Sequence, residues 1–261
     1  MDSDRIISLW DKLSDFGAHE TDCALDHCME QICHLVGADK AFWIGGVRVV
    51  KGAHARRDPM LGWRIGAVHL YGGDNIAQQR KSEVLNGVWN GDPGEATVQL
   101  IAKAGEFRAH TLQSGTLVDL ASFSQSTHYD YFYRNPKISD RMWVAMPISE
   151  DAESYFTFDR IDSDRCFTPA ELDIVAKILR GIKWFHRQLL LSHGLGISRE
   201  PLTAAEHRVK QLLLSGDAEK DIANKLSLTP GTVHQYAVRI YRKFGVKGRT
   251  EFMSLWLHGH L

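Results

Sequence analysis

The sequence predicts an α+β protein, with helices packed on a mostly antiparallel sheet, followed by a small all-α unit of four helices. Three observations carry this. Strand-like and helical apolar periodicities alternate through most of the chain, whereas helical spacing alone governs the end, from about Leu202 onward. Between the two, residues 192–201 are rich in glycine, serine and proline and break the periodicity. With 261 residues the chain is long enough for two cores, so we place a first domain at 1–191, a linker at 192–200 and a second domain at 201–261.

The elements follow in order. Leu25, Cys28, Met29, Ile32, Leu35 and Val36 recur at helical spacing until Gly37 stops them. The runs 41–44 and 47–50 then read as a hairpin turned at Gly45-Gly46. Further strands are expected at 63–71, 107–111, 142–147 and 155–160, with a helical pattern at 78–88. Thr168-Pro169-Ala170-Glu171 opens the closing helix: threonine caps it, proline suits its first turn and glutamate completes a capping box. The continuous stripe Leu172, Val175, Ile178, Leu179, Ile182, Phe185 and Leu189 predicts one helix of about six turns.

Composition narrows the functional classes. Apolar residues make up 44% and charged residues 24%, which suits a folded protein rather than a disordered one. The cysteines Cys23, Cys28, Cys33 and Cys166 form no CxxC pair, so neither a disulfide framework nor structural zinc is expected. No apolar run approaches the roughly 18 residues that span a bilayer, so a cytoplasmic protein with no membrane partner is the expectation. Cys23, His27, Glu30 and His34 share one helical face, but donors strung along a single helix over more than two turns do not converge on one ion. That face reads as solvated, no metal or cofactor is expected, and no nucleophile or base has catalytic spacing, so the expected protein is not an enzyme.

Charge is placed unevenly. The formal net charge is −1, yet residues 199–261 carry ten Lys/Arg against six Asp/Glu, which leaves −5 on residues 1–198. In the basic unit, Leu202-Thr203-Ala204-Ala205-Glu206 is a second capping box, Val209, Leu212 and Leu213 face inward, and the helix stops at Ser215-Gly216. A second helix offers Ile222, Ala223 and Leu226, and Thr229-Pro230 starts a third that runs to about Phe244. This is the layout of a helix-turn-helix, whose second member enters the major groove of double-stranded DNA. Bases need short polar or apolar side chains near the start of that helix, and phosphates need cations at the groove edges. Thr232, His234, Gln235 and Val238 meet the first need; Arg239, Arg242, Lys243, Lys247 and Arg249 meet the second.

These residues resemble the LuxR/FixJ/NarL-type (GerE-like) DNA-binding domain. The matching positions are Leu202-Thr203, Glu206, Val209, Gly216, Lys220-Asp221-Ile222-Ala223, Leu226, Thr232-Val233, Ile240-Tyr241-Arg242-Lys243-Phe244-Gly245-Val246 and Arg249-Thr250-Glu251. The resemblance implies that His234, Gln235 and Val238 touch bases, and that the last helix pairs two subunits as a homodimer on a twofold-symmetric site. Tyr236 stands where histidine is frequent in the family and Arg239 where asparagine is frequent, so the operator sequence does not carry over.

The first domain shows neither the early acidic pair of a phosphorylation receiver nor the loop of an ATPase. Its order of helix, strands and closing helix resembles the GAF/PAS-like α-β-α sandwich, including the autoinducer-binding domains of quorum-sensing regulators, above all over 139–148 and the closing helix. The acyl-homoserine-lactone signature of that family is missing, because no tryptophan is followed four residues later by tyrosine. Such folds take ligands between the sheet and one helical layer. Trp43, Trp63, Trp89, Tyr129, Tyr131, Tyr133 and Trp143 are the expected lining. The reading is a dimeric, sequence-specific transcriptional regulator that senses a small-molecule effector. The alternative is a regulator whose first domain has no pocket and binds a protein partner, while the C-terminal motif serves promoter docking or contact with RNA polymerase.

Overall fold

The structure is a computed structural model and describes residues 3–72, 93–196 and 202–258. Along the chain, α1 (Ser3–Asp15) and α2 (Thr21–Val36) precede β1 (Lys40–Arg48), β2 (Trp63–Tyr71), α3 (Glu95–Ala102), β3 (Arg108–Thr111), β4 (Ile138–Ser149) and β5 (Ala152–Ile161). Then come α4 (Pro169–Gly181), α5 (Lys183–Ser192), α6 (Ala204–Leu214), α7 (Glu219–Leu226), α8 (Pro230–Phe244) and α9 (Arg249–His258). The chain divides into two compact units, Cys28–Lys183 and a second that combines Met1–His27 with Trp184–Leu261. Grouped this way, the N-terminal segment and α5 go with the four-helix end, not with the sheet. The helical pattern expected at 78–88 lies outside the described residues.

In the unit Cys28–Lys183 the five strands form one antiparallel sheet in the order β2-β1-β5-β4-β3. Alternation along the strands gives it two unlike faces. Ala41, Trp43, Met142, Val144, Met146, Phe156 and Phe158 share one face through the pairings Trp43 with Phe156 and Met142 with Phe158, and all are buried. Phe42, Ile44, Arg141, Trp143, Tyr155, Thr157 and Asp159 take the other face, which lines a cavity. α4 packs on β3 and β4, burying Val175, Ile178 and Leu179.

Two sequence expectations give way here. β1 is one continuous strand, not a hairpin: Gly45 and Gly46 pair with Ser154 and Glu153 of β5 without interruption, while on the other side β2 inserts Gly66 as a bulge. A Cβ on Gly46 would lie 2.9 Å from Cε2 of Tyr155, so this glycine serves a close approach, not a turn. The closing helix is also two helices. Ile182 leaves helical geometry at φ −111° and ψ 44°, next to Gly181, a residue that weakens a helix interior by about 1 kcal/mol relative to alanine. The expected stripe nevertheless stays buried across the break at Ile182, Phe185 and Leu189.

In the other unit, Val209, Leu213, Ile222, Ala223, Val233, Ala237, Ile240, Phe244 and Phe252 form one core, on which Leu191 of α5 also packs. Both expected capping boxes are made, Thr168 with Glu171 and Thr203 with Glu206. Among the described residues no helix is long and apolar enough to cross a membrane.

Candidate functional site

α7 ends at Ser227, whose φ of 54° and ψ of 45° place it in the left-handed region, and the Leu228 amide returns to the Ala223 carbonyl at 2.8 Å. This tight turn aims α8. Thr229 caps α8 by accepting from the Thr232 amide at 3.1 Å, Pro230 occupies its first turn, and Gly245, at φ 67°, ends it. Val233, Ala237, Ile240 and Phe244 lock the inner face of α8 into the core. On the outer face Gln235, Val238, Arg239 and Arg242 follow i, i+3, i+4, i+7 spacing and are exposed, Val238 to 51%. An apolar side chain so exposed, among an amide and two guanidiniums, suits the edge of a base pair, where a thymine methyl offers apolar contact. His234 is exposed beside this stripe, its Nδ1 3.2 Å from Glu219 Oε2 of α7.

The cavity on the open face of the sheet has a volume of about 500 Å³. Trp63, Trp143, Leu100, Ile101 and Phe132 supply apolar wall, and Arg141, Asp159, Thr157, Tyr133 and Tyr155 supply polar groups. Arg141 Nε and Nη2 donate to the two Asp159 oxygens at 2.5 and 2.7 Å, and its guanidinium lies 4.6 Å from the Tyr133 ring centre and 5.1 Å from that of Phe42. Burial works against the Arg141 charge, but Asp159 and Tyr133 outweigh it, so its pKa is raised and it stays cationic. Behind Tyr155, Arg108 donates to Glu153 at 2.6 and 3.0 Å in a buried ion pair, and the Tyr155 hydroxyl donates to the same carboxylate. Burial, then Glu153, push the Tyr155 pKa well up, so the phenol stays protonated.

Residues 200–256 match the family model described as bacterial regulatory proteins, luxR family. They form a LuxR-family helix-turn-helix domain. Over 83 residues the chain is 32% identical to the uncharacterized transcriptional regulatory protein YvfU of Bacillus subtilis (strain 168), which is 32% of this chain and 40% of that protein. The chain thus spans less than half the length of this curated relative. Among solved structures, the chain is similar to Escherichia coli SdiA, with a TM-score of 0.48 at 12% identity, covering 95% of this chain and 93% of that one. It is also similar to the VqsR LBD domain of Pseudomonas aeruginosa, with a TM-score of 0.45 at 10% identity, covering 70% and 95%.

Within the LuxR-family domain the residues expected at DNA divide. His234, Gln235, Val238, Arg239, Arg242 and Lys247 are exposed, whereas Thr232 is half-buried, with its hydroxyl 2.8 Å from that of Thr229 in the helix cap. Lys243 turns inward and donates to Glu206 at 2.8 Å in a nearly buried ion pair. Arg249 donates to the Asp217 carbonyl at 2.6 Å and to that of Leu213, tying α9 to the end of α6. Both of these cations thus have partners inside the domain. Of the residues expected at the ligand, Trp63, Tyr133 and Trp143 line the cavity. Trp43 does not: it lies on the opposite face of the sheet, fully buried, with Nε1 donating to Ser154 Oγ at 2.7 Å. Tyr129 stacks on Tyr133 from outside the cavity wall, Tyr131 is 39% exposed, and Trp89 lies outside the described residues. Sequence reasoning passed over Arg141 and Asp159. The signal available was their position on strands at residues alternating with the mainly apolar run Met142, Val144 and Met146 on β4 and Phe156 and Phe158 on β5.

Proposed function

We propose that the chain is a sequence-specific DNA-binding transcriptional regulator, dimeric on DNA, that takes a small-molecule effector in the cavity of its Cys28–Lys183 unit. The observation that carries DNA reading is the exposed stripe Gln235, Val238, Arg239 and Arg242 on a helix whose other face is locked into the core of a LuxR-family domain. The effector reading is supported by the cavity, whose volume of about 500 Å³ lies inside the roughly 300–1,000 Å³ range of small-molecule sites. A regulator that only docks a protein has no use for such an interior, which favours the effector over the partner-binding alternative. Pairing through α9 is supported by the family resemblance and by Met253, 37% exposed on that helix.

Binding isotherms on a duplex selected from a random pool, against unselected duplex, test the first half. Gln235→Ala is expected to lose roughly 1–3 kcal/mol on the selected duplex and little on the unselected one. Equal losses on both would remove the base-contact assignment. Native mass spectrometry of purified protein tests the second half through a bound small molecule.

A further inference from the structure

We propose that Asp22, His193 and His207 form a site for a divalent transition metal of the zinc class, separate from the DNA-facing helix and from the cavity. The three residues are far apart in sequence and meet within the unit made of Met1–His27 and Trp184–Leu261. Asp22 lies in the first turn of α2, His193 just past the end of α5, and His207 in the first turn and a half of α6. One donor atom from each residue falls within 4.8 Å of the other two. Asp22 Oδ2 and His207 Nδ1 are 3.8 Å apart, and the rings of His193 and His207 have centroids 5.0 Å apart at 36°. Donors bound tetrahedrally to zinc at about 2.1 Å stand about 3.4 Å from one another, so the remaining closure is within reach of imidazole rotation.

The surroundings are those of a held ligand set. His193 Nδ1 lies 3.0 Å from the Leu189 carbonyl oxygen and 3.1 Å from Ser192 Oγ; in the tautomer with the proton on Nδ1, donated to that carbonyl, Nε2 keeps a lone pair for a metal. Gln211 Nε2 donates to Asp22 Oδ2 at 3.0 Å and orients the carboxylate. The neighbouring Lys210 amine is aimed at the Ser192 carbonyl, at 2.6 Å. Two imidazoles and one carboxylate suit zinc, cobalt or nickel and leave a fourth position for water. A metal here would tie the N-terminal segment and the end of α5 to the first helix of the LuxR-family domain, a link that no other strong donor set provides among the described residues.

The test uses full-length, tag-free protein stripped with chelator and titrated with CoCl2, then with ZnCl2. One equivalent of cobalt is expected to give visible d–d bands far more intense than those of the aqueous ion; zinc abolishes them and raises the thermal midpoint. Asp22→Asn, His193→Gln and His207→Gln should each weaken binding at least tenfold, while His34→Gln, exposed on α2, leaves it unchanged. The loss is read in whichever of the three variants keeps the wild-type circular dichroism. A cobalt spectrum that stays that of the aqueous ion, or wild-type binding in a folded site variant, overturns the proposal.

Discussion

Arg242 and Lys243 are adjacent cations placed in opposite ways. Arg242 is exposed on the outer stripe of α8, whereas Lys243 is turned in against Glu206. Lys243→Met is therefore expected to cost about 3 kcal/mol of unfolding free energy in urea, because it strands a buried carboxylate, and to leave the salt dependence of DNA affinity unchanged. Arg242→Ala should do the reverse, keeping stability while lowering the salt slope by about 1. The same pair sets a pH dependence. Burial pushes the Glu206 pKa up, but the Lys243 ammonium and the Thr203 cap outweigh it, and the net shift is downward. A carboxyl depressed in the folded state contributes its stability fully above its unfolded value and loses it as pH falls through its folded value. Acid unfolding of the wild type should therefore steepen below about pH 4.5, and Lys243→Met should flatten that limb. The sequence shows a basic run but not which members are spoken for, since Glu206 lies 37 residues away from Lys243 and the pairing is a product of the fold.

Among the elements, the turn between α7 and α8 stores strain in a non-glycine residue. Ser227 at φ 54° is in a region that disfavours a Cβ by about 1–2 kcal/mol, so Ser227→Gly is expected to gain about 0.5–1 kcal/mol after the entropy of glycine is counted. Ser227→Val, β-branched at the same angle, should lose more than 1 kcal/mol. Thermal unfolding of the two variants checks both signs. Local chemistry was the legible part of these elements: the caps at Thr168, Thr203 and Thr229 are each made where the residue spacing puts them. Features set by neighbours were not. Gly45-Gly46 reads as a turn in one dimension, but pairing on both sides holds it extended, and only the Tyr155 ring explains the second glycine. The apolar stripe runs unbroken through Ile182, so periodicity had no means of marking the break there. Trp43 and Trp63 look alike as aromatic residues, yet strand alternation sends one to the closed face and the other to the cavity.

For the whole molecule, the net charge of −1 is a cancellation between an acidic body and a basic end, so solution behaviour near neutrality says little about the DNA-reading face. The proposed pairing through α9 predicts that Met253→Glu weakens self-association, read by sedimentation, with selected-duplex affinity falling more than affinity for unselected duplex. The role of the cavity is tested by filling it. Ile44 and Val68 lie on its wall, from β1 and β2, so Ile44→Trp combined with Val68→Phe puts added volume into empty space rather than into packed core. Overpacking a close-packed site costs about 1–3 kcal/mol, whereas filling a void restores contacts, so the double variant should stay within about 1 kcal/mol of wild-type stability. It should also lose any small molecule that wild type carries in native mass spectrometry, together with the thermal shift that molecule confers. A filled variant that still binds the molecule at wild-type affinity would move the sensing site away from this face of the sheet. One that loses the molecule but regulates DNA binding as before would make occupancy of the cavity a matter of stability, not of signal.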